Sequence, residues 1–227
     1  MSESLNRQLA NLHAERLATW APAALQVNID QRQRLVDEAQ VDDYVQVGDD
    51  LDPFVLLDVE GGELNRDLLL ADGPAVLIFF RFAGCPACNI ALPYYERRLY
   101  PRLRELGVPL VAVSPQVPER LIDIKTRHHL QLRVASDPGN NLGRRLGILY
   151  SFDEASRNAA LAKGNSIGET TGTGTWELPQ PTVVVIARDG TVAFVEVSPD
   201  WLVRTEAEPV LDVVEQLLAQ PPVQRAI

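Results

Sequence analysis

The 227-residue chain is poor in sulfur and in histidine, with two cysteines, one methionine and three histidines. Both cysteines fall inside one tetrapeptide, Cys85-Pro86-Ala87-Cys88, so they cannot act as spaced staples that close long loops. Cations are also short. Lys and Arg number 21 against 31 Asp and Glu, a net charge of -10 whose mean field repels phosphate, which argues against nucleic acid and anionic membrane as partners. No long apolar run occurs: the longest, Ala75 to Phe80, is the size of a strand, far below the roughly 20 residues that span a bilayer. Near the N-terminus Glu3, Arg7, Glu15 and Arg16 interrupt the apolar residues and leave no uncharged signal-peptide segment, so the cytoplasm is the expected compartment. A zinc site would have to complete the cysteine pair from His13, His128 and His129, and no second pair has metal spacing. Neither a metal nor an organic cofactor is expected.

What is present is 46% hydrophobic residues, enough for one substantial core. Leu5, Leu9, Leu12 and Leu17 recur at helical spacing and predict a helix over about 4–19, its leucine stripe read as a docking or dimer surface. Pro22 is read as the end of that helix and Asp30 as the N-cap of a second, running to Ala39. After Gly48 short apolar runs alternate with turn residues. Strands are predicted over 54–57, 75–80, 108–113 and 132–135, with helices from Cys85 past Leu99, over 118–128 and over 140–146. Thr182 to Ile186 and Val192 to Val197 flank the turn Arg188-Asp189-Gly190 as a hairpin, and Pro209 to Ala219 closes the chain's periodic part as a helix. The stretch 151–178, with its Gly- and Thr-rich run from Gly168 to Thr175, lacks apolar periodicity and is expected to be a mobile loop. The pattern is α/β with a mixed central sheet flanked by helices: an N-terminal helical extension over 1–43 and one domain over 44–227.

A Cys-x-x-Cys that follows an apolar strand and opens a helix has a chemical reason to be there. Backbone N–H groups at the helix start favour thiolate over thiol at Cys85, and Cys88, three residues on, lies within reach to resolve a mixed disulfide. Cys85 is accordingly expected to be the more exposed and the more acidic of the two. Arg81 is the nearest cation in sequence: turned toward the motif it would further favour an anion there, and the alternative is that it points at solvent.

Several marks together resemble the thioredoxin superfamily. They are the Cys-Pro-Ala-Cys pair after a strand, Pro93 inside the following helix, and Gln180-Pro181-Thr182 opening an apolar strand, where the superfamily places a cis-proline. Val47-Gly48-Asp49, Val111-Ala112-Val113-Ser114, and Ser136-Asp137-Pro138 leading to Leu146-Gly147-Ile148 resemble the peroxiredoxin-like branch, the alkyl hydroperoxide reductase and thiol-specific antioxidant family, over about residues 44 to 218. The resemblance implies a thioredoxin-like fold and thiol-based antioxidant chemistry. It also shows departures. Counted from Cys88, the family's proline and threonine positions hold Arg81 and Cys85, and its later arginine falls at Pro181. Phe79 stands where thioredoxin carries a buried carboxylate.

The resemblance and its departures imply dithiol exchange as the first reading. Cys85 attacks a protein or small-molecule disulfide or an oxidised thiol, Cys88 resolves, and Pro181, Thr182 and Arg81 shape the substrate groove. The alternative is a thiol-dependent peroxidase acting on hydroperoxides, with Cys88 peroxidatic and Cys85 resolving, recharged by a thioredoxin- or glutaredoxin-type electron donor. A third reading is a noncatalytic redox sensor. Because the peroxide-activating positions are replaced, slow reaction with hydrogen peroxide is expected.

Overall fold

The computed structural model describes residues 3–219. In chain order its helices and strands are α1 (Leu5–Thr19), α2 (Pro22–Asp37), β1 (Val55–Asp58), β2 (Glu63–Asn65), α3 (Arg66–Leu69), β3 (Ala75–Phe79), α4 (Pro86–Arg98) and α5 (Tyr100–Glu105). There follow β4 (Leu110–Ser114), α6 (Pro118–His128), β5 (Arg133–Ser136), α7 (Asn141–Arg145), β6 (Leu149–Ser151), α8 (Glu154–Leu161), α9 (Ile167–Thr171), β7 (Glu177–Pro179), β8 (Thr182–Ile186), β9 (Val192–Val197) and α10 (Ala207–Ala219).

The main sheet has the order β2-β1-β5-β4-β3-β8-β9. Its centre is parallel, β3 with β4 and β4 with β5, and its flanks are antiparallel, which is the mixed thioredoxin-like sheet expected from the sequence. Strands β3, β4 and β8 are buried along their whole length, as their largely apolar sequences, rich in Val, Leu and Ile, require of strands covered on both faces. One face packs Val76, Ile78 and Val183 against α4 and α10, while the other packs Leu77, Phe79, Val111 and Val184 against the β1–β2 side. No helix among the described residues is long and apolar enough to cross a membrane.

Three expectations are corrected. The second helix begins at Pro22, not Asp30, because proline fits the first helical turn, where its missing N–H is not needed. The leucine stripe of α1 is not an outer surface: Leu5 and Leu9 are fully buried with Leu92, Tyr94 and Val210 in the main core, and only Leu17 is exposed. The stretch 151–178 is ordered. Asp153 caps α8, β7 pairs with β6, Phe152, Ile167 and Leu178 form a small apolar cluster with Leu35 and Tyr150, and the hydroxyls of Thr171, Thr173 and Thr175 bond in series at 2.9 and 3.2 Å.

Candidate active site

The site lies at the C-terminal end of β3, the position at which open α/β sheets present ligands. Phe80 to Gly84 form a tight connection held by Gln116, whose Oε1 accepts from Ala83 N at 2.8 Å, and by Asn89, which donates to the carbonyls of Ala83 and Cys85. Arg127 and His128 in turn hold Asn89. Cys85 is the N-cap of α4, Pro86 is its first residue, and Cys88 N–H points at Cys85 Sγ at 3.4 Å. This is the geometry expected from the motif.

The two thiols are free, with their sulfurs 2.8 Å apart, and both are buried, Cys85 at 1% exposure and Cys88 at 0%. The expected difference in exposure is therefore absent. The expected order of acidity is reversed. Burial opposes charge on Cys88, but the hydrogen bond from Cys85 and the guanidinium groups of Arg204 and Arg81 outweigh it and hold Cys88 well below the ordinary thiol range. Burial, the hydrogen bond to Cys88 and that neighbour's charge push Cys85 well above it. The hydrogen bond from Cys85 favours the Cys88 thiolate most, and Arg204, with Nη2 at 3.6 Å from Cys88 Sγ, adds its charge and a donor.

Arg204 was not singled out in the sequence. It lies in the short segment between β9 and α10, without periodicity, 116 residues from Cys88. One signal was there to find: it is the only Lys or Arg between Arg188 and Arg225. It is buried, its Nε donates to Trp201 O at 3.0 Å, and its backbone is held by Asn6 of α1.

Arg81 faces Cys85 as expected, but it is buried at 8% exposure instead of reaching solvent. Its guanidinium lies 4.6 Å from the Trp201 ring centroid and 5.6 Å from those of Phe82 and Phe152, faces that stabilise a cation shielded from water. Burial opposes its charge, and the nearby Tyr150 and cysteine groups more than restore it. Arg81 and Cys85 line a cavity of about 450 Å³ whose walls include Trp20 and Gln31 from the N-terminal helices and Ala160 from α8.

Pro181 and Thr182 do not join that cavity. Both are buried and line a narrow crevice beside Arg204 and Tyr95. The expected cis bond at Gln180-Pro181 is also absent, since no cis peptide occurs among the described residues. The local bonding accounts for a trans link. Gln180 N donates to Ile148 O and Gln180 Oε1 accepts from Tyr44, Ser198 N donates to Pro181 O, and the chain runs extended from β7 into β8. Among the described residues no group of three or more His, Cys, Asp or Glu side chains is arranged to hold a metal ion.

Comparison with known proteins agrees with this architecture. Residues 47–195 match the model of the AhpC/TSA family. Peroxidoxin BcpB from Mycobacterium tuberculosis superposes with a TM-score of 0.57 at 19% identity, covering 78% of this chain and 99% of that one. AhpC of Enterococcus faecalis gives 0.58 at 17% identity over 80% and 98%, and a peroxiredoxin-like protein from Aquifex aeolicus gives 0.58 at 18% over 77% and 88%. A search of curated proteins by sequence finds no match. A thioredoxin-like fold, a paired thiol at the end of β3 and a family match over most of the chain lead to one conclusion: the protein belongs to the AhpC/TSA family and is a thiol-based oxidoreductase.

Proposed function

We propose that the protein is a thiol-dependent peroxidase in which Cys88 is the peroxidatic residue and Cys85 the resolving one. The observation that carries this reading is the 3.6 Å contact from Arg204 Nη2 to Cys88 Sγ. The sequence pattern lacks the family's arginine at the position counted from the hairpin, and Arg204 supplies a guanidinium from another segment. It stabilises the attacking thiolate and offers a donor to the charge that develops on the leaving oxygen. Cys88 attacks one peroxide oxygen, the O–O bond breaks, the departing hydroxide or alkoxide takes up a proton, and Cys88 becomes a sulfenic acid. Cys85, its thiol proton retained by the raised pKa, lies 2.8 Å away. Its attack expels water and forms the Cys85–Cys88 disulfide with no large movement. An external thiol returns the pair to the dithiol. Helices α1, α2 and α8 wall the cavity, and both sulfurs are buried. We place this activity in the cytoplasm.

A second reading, disulfide exchange initiated by Cys85, is favoured by one observation: the cavity is lined by Cys85 and not by Cys88. Stopped-flow tryptophan fluorescence of the reduced protein mixed with hydrogen peroxide separates the two. The peroxidase reading expects fast oxidation in the Cys85→Ser variant and none in Cys88→Ser. The exchange reading expects slow peroxide oxidation in both, with insulin disulfide reduction abolished by Cys85→Ser.

A further inference from the structure

The cavity over Cys85 has walls with cations and no carboxylate, in a chain whose net charge is -10. Arg16 from α1 and Arg81 from the end of β3 both line it, at 6% and 8% exposure, and neither forms an ion pair among the described residues. Lys163, over the Trp20 ring, adds a third positive group. Two polar atoms in the walls are buried without a hydrogen-bond partner, Arg81 Nε and Gln31 Nε2, and Gln31 itself is 3% exposed. Burying guanidinium groups without counter-ions is costly, and an entering anion relieves that cost. The need is greatest in one redox state. A thiolate on the cysteine pair partly balances the buried Arg81, whereas the Cys85–Cys88 disulfide carries no charge and leaves its guanidinium less compensated.

We propose that this cavity binds the reductant of the oxidised protein, and that the reductant is a small carboxylate-bearing thiol and not a protein dithiol. The inference rests on the proposed Cys85–Cys88 disulfide cycle. Both sulfurs are buried and only Cys85 lines the cavity, so a thiol fixed on a folded protein is kept from them, while a molecule that fits about 450 Å³ reaches Cys85 directly. The carboxylate pairs with Arg16, and Gln31 Nε2 supplies a further donor. The thiolate of the bound molecule then attacks Cys85 Sγ. The Cys85–Cys88 bond breaks, Cys88 leaves as a thiolate held by Arg204, and a mixed disulfide remains on Cys85. A second molecule of the same thiol attacks the outer sulfur of that mixed disulfide. It releases the small-molecule disulfide and returns Cys85, which takes a proton. Two thiols are oxidised and one protein disulfide is reduced.

The test begins from full-length protein oxidised with diamide, so it does not depend on peroxide chemistry and its failure is separable from failure of the peroxidase reading. Reduction is followed by tryptophan fluorescence with 3-mercaptopropionate, 2-mercaptoethanol, cysteamine and a thioredoxin dithiol, with rates expressed per thiolate. The expected result is saturable reduction by 3-mercaptopropionate, about tenfold or more faster than by 2-mercaptoethanol at low concentration, with cysteamine slower still. Arg16→Gln should remove that preference and Arg16→Lys should keep it. An independent measurement uses the unaltered protein: glutarate, which has no thiol, should competitively inhibit reduction by 2-mercaptoethanol. Equal rates for the three small thiols, no inhibition by glutarate, or faster reduction by the thioredoxin dithiol than by 3-mercaptopropionate would each overturn the proposal.

Discussion

Asn6 and Arg204 clasp each other through two hydrogen bonds, Asn6 Oδ1 accepting from Arg204 N at 2.9 Å and Asn6 Nδ2 donating to Arg204 O at 2.8 Å. The first helix of the chain thereby fixes the backbone of the residue whose guanidinium touches Cys88. Glu206 secures the same junction, accepting from the N–H groups of Leu5 and Asn6 at the start of α1 and from the Tyr94 hydroxyl. Asn6→Ala is expected to raise the pKa of Cys88 and slow its alkylation at neutral pH, since a loosened Arg204 no longer holds its contact. The loss of two partly buried hydrogen bonds should also lower stability by about 1–3 kcal/mol. Alkylation rate against pH in a Cys85→Ser background, with urea denaturation alongside, checks both effects.

Arg204 carries the larger effect. Arg204→Gln should slow oxidation of Cys88 by hydrogen peroxide about 100-fold or more, the usual cost of losing a donor aimed at developing charge. Arg204→Lys should restore part of the rate, because charge is kept while the directed guanidinium is lost. The pH-rate profile separates this role from a structural one: its midpoint moves upward in Arg204→Gln, whereas simple loosening of the fold lowers the amplitude alone.

The lowered pKa of Cys88 has a consequence for stability. In the window between its folded value and the ordinary thiol value of about 8.5, the unfolded chain binds the proton and the folded one does not, so stability rises with pH there. The contribution is complete above the unfolded value and is lost as pH falls through the folded one. The stability difference between the wild-type protein and Cys88→Ser, measured by urea denaturation with a non-thiol reductant, should therefore move in favour of the wild type from pH 5 to pH 8. A difference that stays flat over that range would place the thiolate elsewhere.

Gly172 and Gly168 anchor the insert that roofs the cavity. Gly172 has φ +80°, and a Cβ there would lie 2.5 Å from Val117 Cγ1. A Cβ at Gly168 would lie 2.6 Å from the backbone of Gly174. Gly172→Ala is expected to destabilise by about 1–3 kcal/mol and to open the segment 165–176 to amide exchange, read by hydrogen-exchange mass spectrometry. Unchanged protection would mean that the turn accommodates a side chain.

These glycines show where sequence reasoning stopped. Buried runs such as Ala75 to Phe79 and the turn after Ala187 declare themselves locally, since apolar continuity and turn chemistry are properties of neighbouring residues. So does the helix that opens at Pro86. The segment 151–178 is held by threonine hydroxyls, close backbone approach and the widely spaced apolar residues Phe152, Ile167 and Leu178, which leave no apolar period to read. The leucines of α1 carry a clear period, but the period does not say which surface covers them, and α4 does so across the chain. Arg204 stands out only as an isolated cation, because its partner lies 116 residues away and its own segment has no regular structure. A helix start favours a thiolate at Cys85, but the neighbouring thiol and a guanidinium 116 residues away, which no local pattern shows, favour it at Cys88.

The identity of the cysteine that peroxide oxidises is the most direct test. The Cys85→Ser and Cys88→Ser variants, reduced and then treated with one equivalent of hydrogen peroxide in the presence of dimedone, are digested and read by mass spectrometry. The account predicts a dimedone adduct on Cys88 in Cys85→Ser and little or none on Cys85 in Cys88→Ser, because Arg204 Nη2 is directed at Cys88 Sγ and not at Cys85. An adduct on Cys85 with none on Cys88 would contradict it.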